Sequence, residues 1–90
     1  MSDPREPVSP NKKSNGVINR KKTGKRIKAV CKSSGFSNVA VANELGISPQ
    51  AVHNCFVGVS LFSVQHLYRI SQMTGTTIDD LLVADYKGIS

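Results

Sequence analysis

Three side chains able to hydrogen-bond a nucleobase edge, Gln50, His53 and Asn54, stand within five residues of one another in the stretch Ser48-Pro49-Gln50-Ala51-Val52-His53-Asn54-Cys55-Phe56. A carboxamide donates and accepts at once, so Gln50 or Asn54 can pair with adenine through two bonds, and the His53 imidazole can donate to guanine or meet the backbone. The same three groups would also serve as a plain solvated helix face. Catalysis is harder to build from them. No carboxylate sits at a neighbouring helical spacing to His53, and the chain holds no Gly-rich phosphate loop, paired-carboxylate constellation or nucleophile-base spacing. Cys31, Cys55, His53 and His66 lack zinc-ligand spacing, so no metal or cofactor is expected; both cysteines read as reduced core thiols, with a disulfide between them left open by the spacing. The expectation is a non-enzyme.

The charge is divided along the chain. Residues 1–33 carry ten Lys or Arg against Asp3 and Glu6, a balance of +8; residues 34–90 carry Arg69 and Lys87 against Glu44, Asp79, Asp80 and Asp85, a balance of −2; together they give the net +6. Lys12, Lys13, Arg20, Lys21, Lys22, Lys25, Arg26, Lys28 and Lys32 succeed one another without an intervening acid. Such a run suits phosphate oxygens and counterion release, although it would also serve as a solubilising tail.

Ninety residues support one domain. Residues 1–22, opened by Pro4, Pro7 and Pro10 among Ser and Asn, are expected to form a flexible basic arm; residues 23–83 a helical domain; residues 84–90 a short tail. The part able to build a core is about 60 to 70 residues, which limits its stability. The pattern predicts five short helices and no strand. The first runs from a Thr23 cap to Ser34, with Ile27, Val30 and Cys31 inward; the second from a Ser37 cap to Leu45, burying Val41, Ala42 and Leu45 and stopping at Gly46. Ser48 caps the third, with Pro49 at the position where a missing amide costs nothing and Val52, Cys55 and Phe56 inward. Ser63 opens the fourth, burying Val64, Leu67, Ile70 and Met73, and Thr77 opens a brief fifth through Leu81 and Leu82. Whether Tyr86 or Ile89 packs on the body is left open.

The second and third helices, joined through Gly46, form a corner that exposes the start of the later one, the shape that enters a DNA major groove. Here the chain resembles the helix-turn-helix family of the lambda phage repressor and Cro proteins (XRE-like), over about Lys25 to Val83. The resemblance rests on Ile27 and Val30, Gly35-Phe36-Ser37, Val41-Ala42, Leu45-Gly46-Ile47-Ser48, Val52, Gly58, Leu67, Ile70, Gly75 and Ile78-Asp79-Asp80-Leu81 in that order. It implies an all-α, compact five-helix domain, sequence-specific double-stranded DNA as the partner, a role in transcriptional control, and two-fold dimers in many members. By resemblance, Pro49, Gln50, His53 and Asn54 match base-reading positions, Pro49 through apolar contact alone, and Asn38 stands where most members carry a Gln that contacts phosphate and braces the reading helix.

Together with the charge pattern this makes Lys21, Lys22, Lys25, Arg26, Lys28, Ser37, Asn38 and Ser60 the expected phosphate contacts. Many members pair an Arg at the place of Cys31 with a Glu at the place of Phe56. Both are apolar here, and replacing both partners of a buried ion pair avoids stranding one charge. The loop Val59-Ser60-Leu61-Phe62 is less polar than in relatives, and Val39, Val57 and Val59 occupy positions often polar there. If these face outward with Phe62, they form an apolar patch for a homodimer or another protein; the alternative is burial by loop packing. The reading is a regulator, with repression by site occlusion preferred, and the other reading is a small protein-interaction adaptor. Without a membrane span or signal segment, a cytoplasmic, nucleoid-associated protein is expected.

Overall fold

Each helix starts at a side-chain oxygen that accepts the amide three residues on, one of the four amides a helix start leaves without an internal partner. In the computed structural model, which describes residues 16–86, Asn19 Oδ1 accepts from Lys22 at 2.8 Å and opens α1 (Arg20–Ser33). Ser37, Ser48 and Ser63 accept from Ala40, Ala51 and His66 at 3.1, 3.1 and 3.2 Å and open α2 (Asn38–Leu45), α3 (Pro49–Phe56) and α4 (Val64–Thr74). Thr77 accepts from Asp80 at 3.2 Å and opens α5 (Ile78–Leu81). The four later caps agree with the sequence expectation.

The first does not. Thr23 lies inside α1, buried, and its hydroxyl donates to the Val83 carbonyl at 3.1 Å while accepting from the Val83 amide at 2.9 Å. The helix begins three residues earlier because Asn19 caps it. A first turn of Arg20, Lys21 and Lys22 with no acid opposes the helix dipole. The missing carboxylate comes from the far end of the chain: Asp85 accepts from Asn19 Nδ2 at 2.7 Å and lies 3.6 Å from Lys22 Nζ.

Asp85 belongs to a strand absent from the sequence reading. β1 (Gly16–Ile18) and β2 (Ala84–Tyr86) pair antiparallel, with Gly16 opposite Tyr86, Val17 opposite Asp85 and Ile18 opposite Ala84. Residues 16–22 and 84–86 therefore belong to the folded body rather than to the arm and tail that the sequence suggested. The rest of the expected arm, with Lys12 and Lys13, and Lys87 and Ile89 of the tail lie outside the described residues.

The core joins Ile27 and Cys31 of α1, Val41 and Ala42 of α2, Val52, Cys55 and Phe56 of α3, Leu67 and Ile70 of α4, and Leu81 of α5. Val64, expected inside, is exposed, because it is the first residue of α4 and projects past the end of the core. Phe62 moves the other way: it is buried, edge-on to Phe56 with ring centroids 6.0 Å apart. Arg69 of α4 bridges to Glu44 of α2 at 2.6 Å on the surface.

α1 crosses α3 at close range. A Cβ added at Gly24 would stand 2.3 Å from the Cys55 carbonyl oxygen and 2.4 Å from that of Phe56, both backbone atoms. Gly58, at φ 91° just past α3, would place a Cβ 2.7 Å from the Lys21 Cα. The first half of α1 thus lies backbone to backbone on the last turn of α3. Gly24→Ala is expected to lower the unfolding free energy by about 1 to 3 kcal/mol, the usual cost of overpacking, although alanine favours helix. Urea unfolding checks this, and an unchanged or higher midpoint would mean that the two helices can separate freely.

Candidate nucleic-acid interface

Gly46, left-handed at φ 72°, turns the chain at the end of α2, and the Ile47 amide closes the corner on the Ala42 carbonyl at 3.1 Å. Ser48 and Pro49 then start α3 in a fixed direction. Because Val52, Cys55 and Phe56 are inward, α3 turns Pro49, Gln50 and His53 to solvent and leaves Asn54 half-buried. His53 and Cys55 fall on opposite faces, so they do not converge with an acid.

Gln50 and Asn54 are one unit. Gln50 Nε2 donates to Asn54 Oδ1 at 3.1 Å across one helical turn. That leaves the Gln50 oxygen as an acceptor beside the Asn54 amide as a donor, the complement of adenine N6 and N7. The Asn54 carbonyl also anchors the following loop, accepting from the Val59 amide at 2.9 Å and the Ser60 amide at 3.3 Å. The Ser60 amide is therefore already committed, and its exposed hydroxyl is the group left to meet a phosphate.

The cationic side chains divide by face. Lys21, Lys22, Lys25 and Lys28, with Phe56 and Val57, line an open groove of about 490 Å³ where α1 meets the end of α3. Lys22 also borders, with Lys25, Arg26 and Val83, a second hollow of about 440 Å³ toward the chain ends. Arg26 faces that second side, its Nε donating to the Asp80 carbonyl, so its guanidinium is partly engaged within the fold. Among the described residues, Lys21, Lys25 and Lys28 have no carboxylate partner.

At the start of α2, the Ser37 oxygen accepts from Ala40 in the cap, which leaves its O–H free to donate. The Asn38 and Val39 amides, the first two of the helix, have no intrahelical acceptor and can meet an anion. Asn38 Oδ1 is buried without a hydrogen-bond partner among the described residues, so the brace to α3 implied for this position is not made by that oxygen. Bracing comes instead from Gly24 against the α3 carbonyls and from the Asn54-held loop, neither of which was read from the sequence. With the first helix expected to open at Thr23, Gly24 stands at its start, and only the true start at Arg20 puts this glycine inside the helix.

Val39, Val57 and Val59 are 57%, 41% and 65% exposed, so loop packing does not bury them. Phe62 does not join them, being in the core, whereas Leu61 is exposed. Cys31 and Phe56 are both buried as an apolar pair.

The arrangement defines a helix-turn-helix unit, and comparison with known proteins agrees. The family model described as Helix-turn-helix matches residues 27–81, and the chain belongs to that family, in its XRE type. The family is one of DNA-binding regulators of transcription, and that is the class of this chain. Among solved structures, the restriction-modification controller protein C.AhdI from Aeromonas hydrophila is similar at 18% identity and TM-score 0.61, over 68% of this chain and 92% of that one. The DNA-binding domain of BldD is similar at 21% identity and TM-score 0.60, over 72% and 94%. HppE is similar at 23% identity and TM-score 0.64, but over only 36% of its own length, a likeness of fold within part of a larger chain. No curated protein sequence matches the chain. Among the described residues, no helix is long and apolar enough to cross a membrane.

Burial raises both thiols, Cys31 and Cys55, above the ordinary 9.0. The neutral thiols therefore stabilise the fold fully below about pH 9, and this contribution declines as pH rises through the raised values. Two observations are expected. The native chain should resist an aromatic disulfide reagent at pH 8 except at the rate of opening, and a Cys31→Ala, Cys55→Ala variant should lose less stability than the parent between pH 8 and 10. Labelling as fast as that of a free thiol would contradict the closed core.

Proposed function

We propose that the chain is a sequence-specific regulator of double-stranded DNA in which α3 reads bases and α1 supplies the phosphate affinity. The observation that carries this is the outward tip of α3, Pro49, Gln50, His53 and Asn54, on the same helix whose last turn borders the lysine groove. Duplex DNA meets Lys21, Lys25 and Lys28, with Lys22 and Arg26 sharing their charge with groups inside the fold. The Asn38 and Val39 amides and the Ser60 hydroxyl fix the pose. Gln50 and Asn54 act as one adenine reader, while His53 donates to guanine or backbone. Repression by occlusion is the simplest outcome, since it requires only occupancy of a site. A dimer would read paired half-sites about 34 Å apart. That the solved part of BldD is a DNA-binding domain is in keeping with this use of the fold.

A second reading is favoured by the exposed Val57, Val59 and Leu61, which suit a second copy or another protein. Selection of binding sites from random duplexes separates the two. A defined motif with affinity that falls steeply with salt is expected; absence of duplex binding at about 0.1 M salt leaves only the protein contact.

On the selected site, Gln50→Ala is expected to cost about 1 to 3 kcal/mol at one base position. Because Gln50 and Asn54 share a hydrogen bond, Asn54→Ala should relax the same position, and the double variant should cost less than the sum of the two. Additive losses at two different positions would dissolve the paired reader. Lys28→Ala should weaken all duplexes alike and reduce the salt slope by about one unit. A loss confined to the selected sequence would move Lys28 from phosphate to base contact.

A further inference from the structure

The groove between α1 and the end of α3 has two chemistries, and phosphate uses only one of them. Its rim is Lys21, Lys22, Lys25 and Lys28; Phe56 borders it but is only 4% exposed, so the open apolar surface is that of Val57, 41% exposed. Lysines that serve phosphate alone keep their ammonium groups hydrated over a polar surface, and an apolar wall between them adds nothing to that contact. We propose that this groove is also a docking site for an acidic protein segment, one that places a single aliphatic or aromatic side chain against Val57 and flanks it with carboxylates for the lysines.

Charge complementarity selects this occupant. Among the described residues, one carboxylate reaches the rim, that of Asp85 at 3.6 Å from Lys22, leaving Lys21, Lys25 and Lys28 to pair with charge from outside. Lys21, Lys25 and Lys28 follow at helical spacings of four and three, so they form one row on α1, matching carboxylates spaced along a partner's extended or helical segment. The wall is held by close packing: Gly24 seats α1 on the Cys55 and Phe56 carbonyls, and Gly58, directly after Val57, lies against the Lys21 backbone. A preformed groove spares the partner the cost of ordering it. An aromatic anchor in an apolar notch, ringed by charge pairs at the rim, is the arrangement in which a few residues supply most of the affinity.

The groove shares its lysines with the DNA contacts proposed above, so an acidic segment seated there would compete with duplex. That consequence rests on the regulator reading; the docking itself does not.

The probe is a short peptide of Asp and Glu with one central Phe, titrated into the full-length protein at about 0.1 M salt, alongside the same peptide with Ser in place of Phe. The Phe peptide is expected to bind about ten-fold or more tightly than the Ser peptide, and to shift the backbone amide signals of Lys25, Lys28, Val57 and Gly58. Val57→Ser should remove the difference between the two peptides without changing the melting temperature. Should that variant melt early, Lys25→Gln serves instead and should weaken both peptides. Equal binding of the two peptides, no binding, or shifts away from the groove would overturn the proposal. So would a duplex titration in which Val57→Ser weakens DNA instead, since the apolar wall would then belong to the DNA contact. Because the peptide titration contains no nucleic acid, its failure leaves the regulator reading untouched, and failure of duplex binding leaves the peptide result standing.

Discussion

The seat of Gly24 on the last carbonyls of α3 is the constraint from which the rest follows. Without a side chain there, α1 approaches the Cys55 and Phe56 carbonyls closely enough that a single methyl would collide with both. That approach carries the lysines of α1 to the end of a helix that has none of its own. It also fixes which face of α3 is inward: with Val52, Cys55 and Phe56 in the core, Gln50 and His53 are exposed and Asn54 is half-buried beside Gln50. A cation near the negative end of a helix is favoured by the helix dipole, so Lys21 and Lys25 gain locally from the same placement. The core replaces a charged brace with an apolar one. Cys31 and Phe56 bury together, and no desolvated charge has to be matched for α3 to stay in place.

Much of this fold was legible because its signals are local. A Ser or Thr three residues before the amide it caps and apolar residues at spacings of three and four, with a Gly at or just past the end of α2, α3 and α4, mark α2, α3, α4 and α5 without reference to anything distant. What was not legible depends on partners far along the chain. Arg20 to Lys22 group with the arm because the stretch before Thr23 is too short and too basic for periodicity to register, and the carboxylate that offsets their charge, Asp85, lies more than sixty residues away. Thr23 read as a cap since hydroxyls commonly cap; its bonds to Val83 exist only once the ends of the chain have met. β1 and β2 have three residues each, too few for a period-two pattern to register.

The interface was legible in its parts and not in its relations. Gln50, His53 and Asn54 could be picked out by type and by phase on α3. That Gln50 and Asn54 bond to one another, and so stand as a linked pair rather than two independent amides, is a matter of rotamers. The lysines could likewise be counted, but their division between the groove and the Asp80 and Asp85 side is set by the closure of the chain ends, which a charge tally does not contain.

This division bears on how affinity and selectivity can be separated in so small a body. Under the proposed reading, groups that carry no charge add little attraction for DNA of arbitrary sequence, so discrimination would rest on whether the Gln50 and Asn54 pair finds its complement. Attraction would then come from α1 and be indifferent to sequence, weakening with salt as counterions compete. Because the two sets sit on different helices joined at Gly24, a change in one need not disturb the geometry of the other. The join itself is different. Anything that tilts α1 on α3 moves the lysines relative to the reading tip, and since hydrogen bonds to bases fail over fractions of an ångström while charge attraction does not, the expected consequence of loosening Gly24 is a protein that still holds DNA but no longer tells sequences apart.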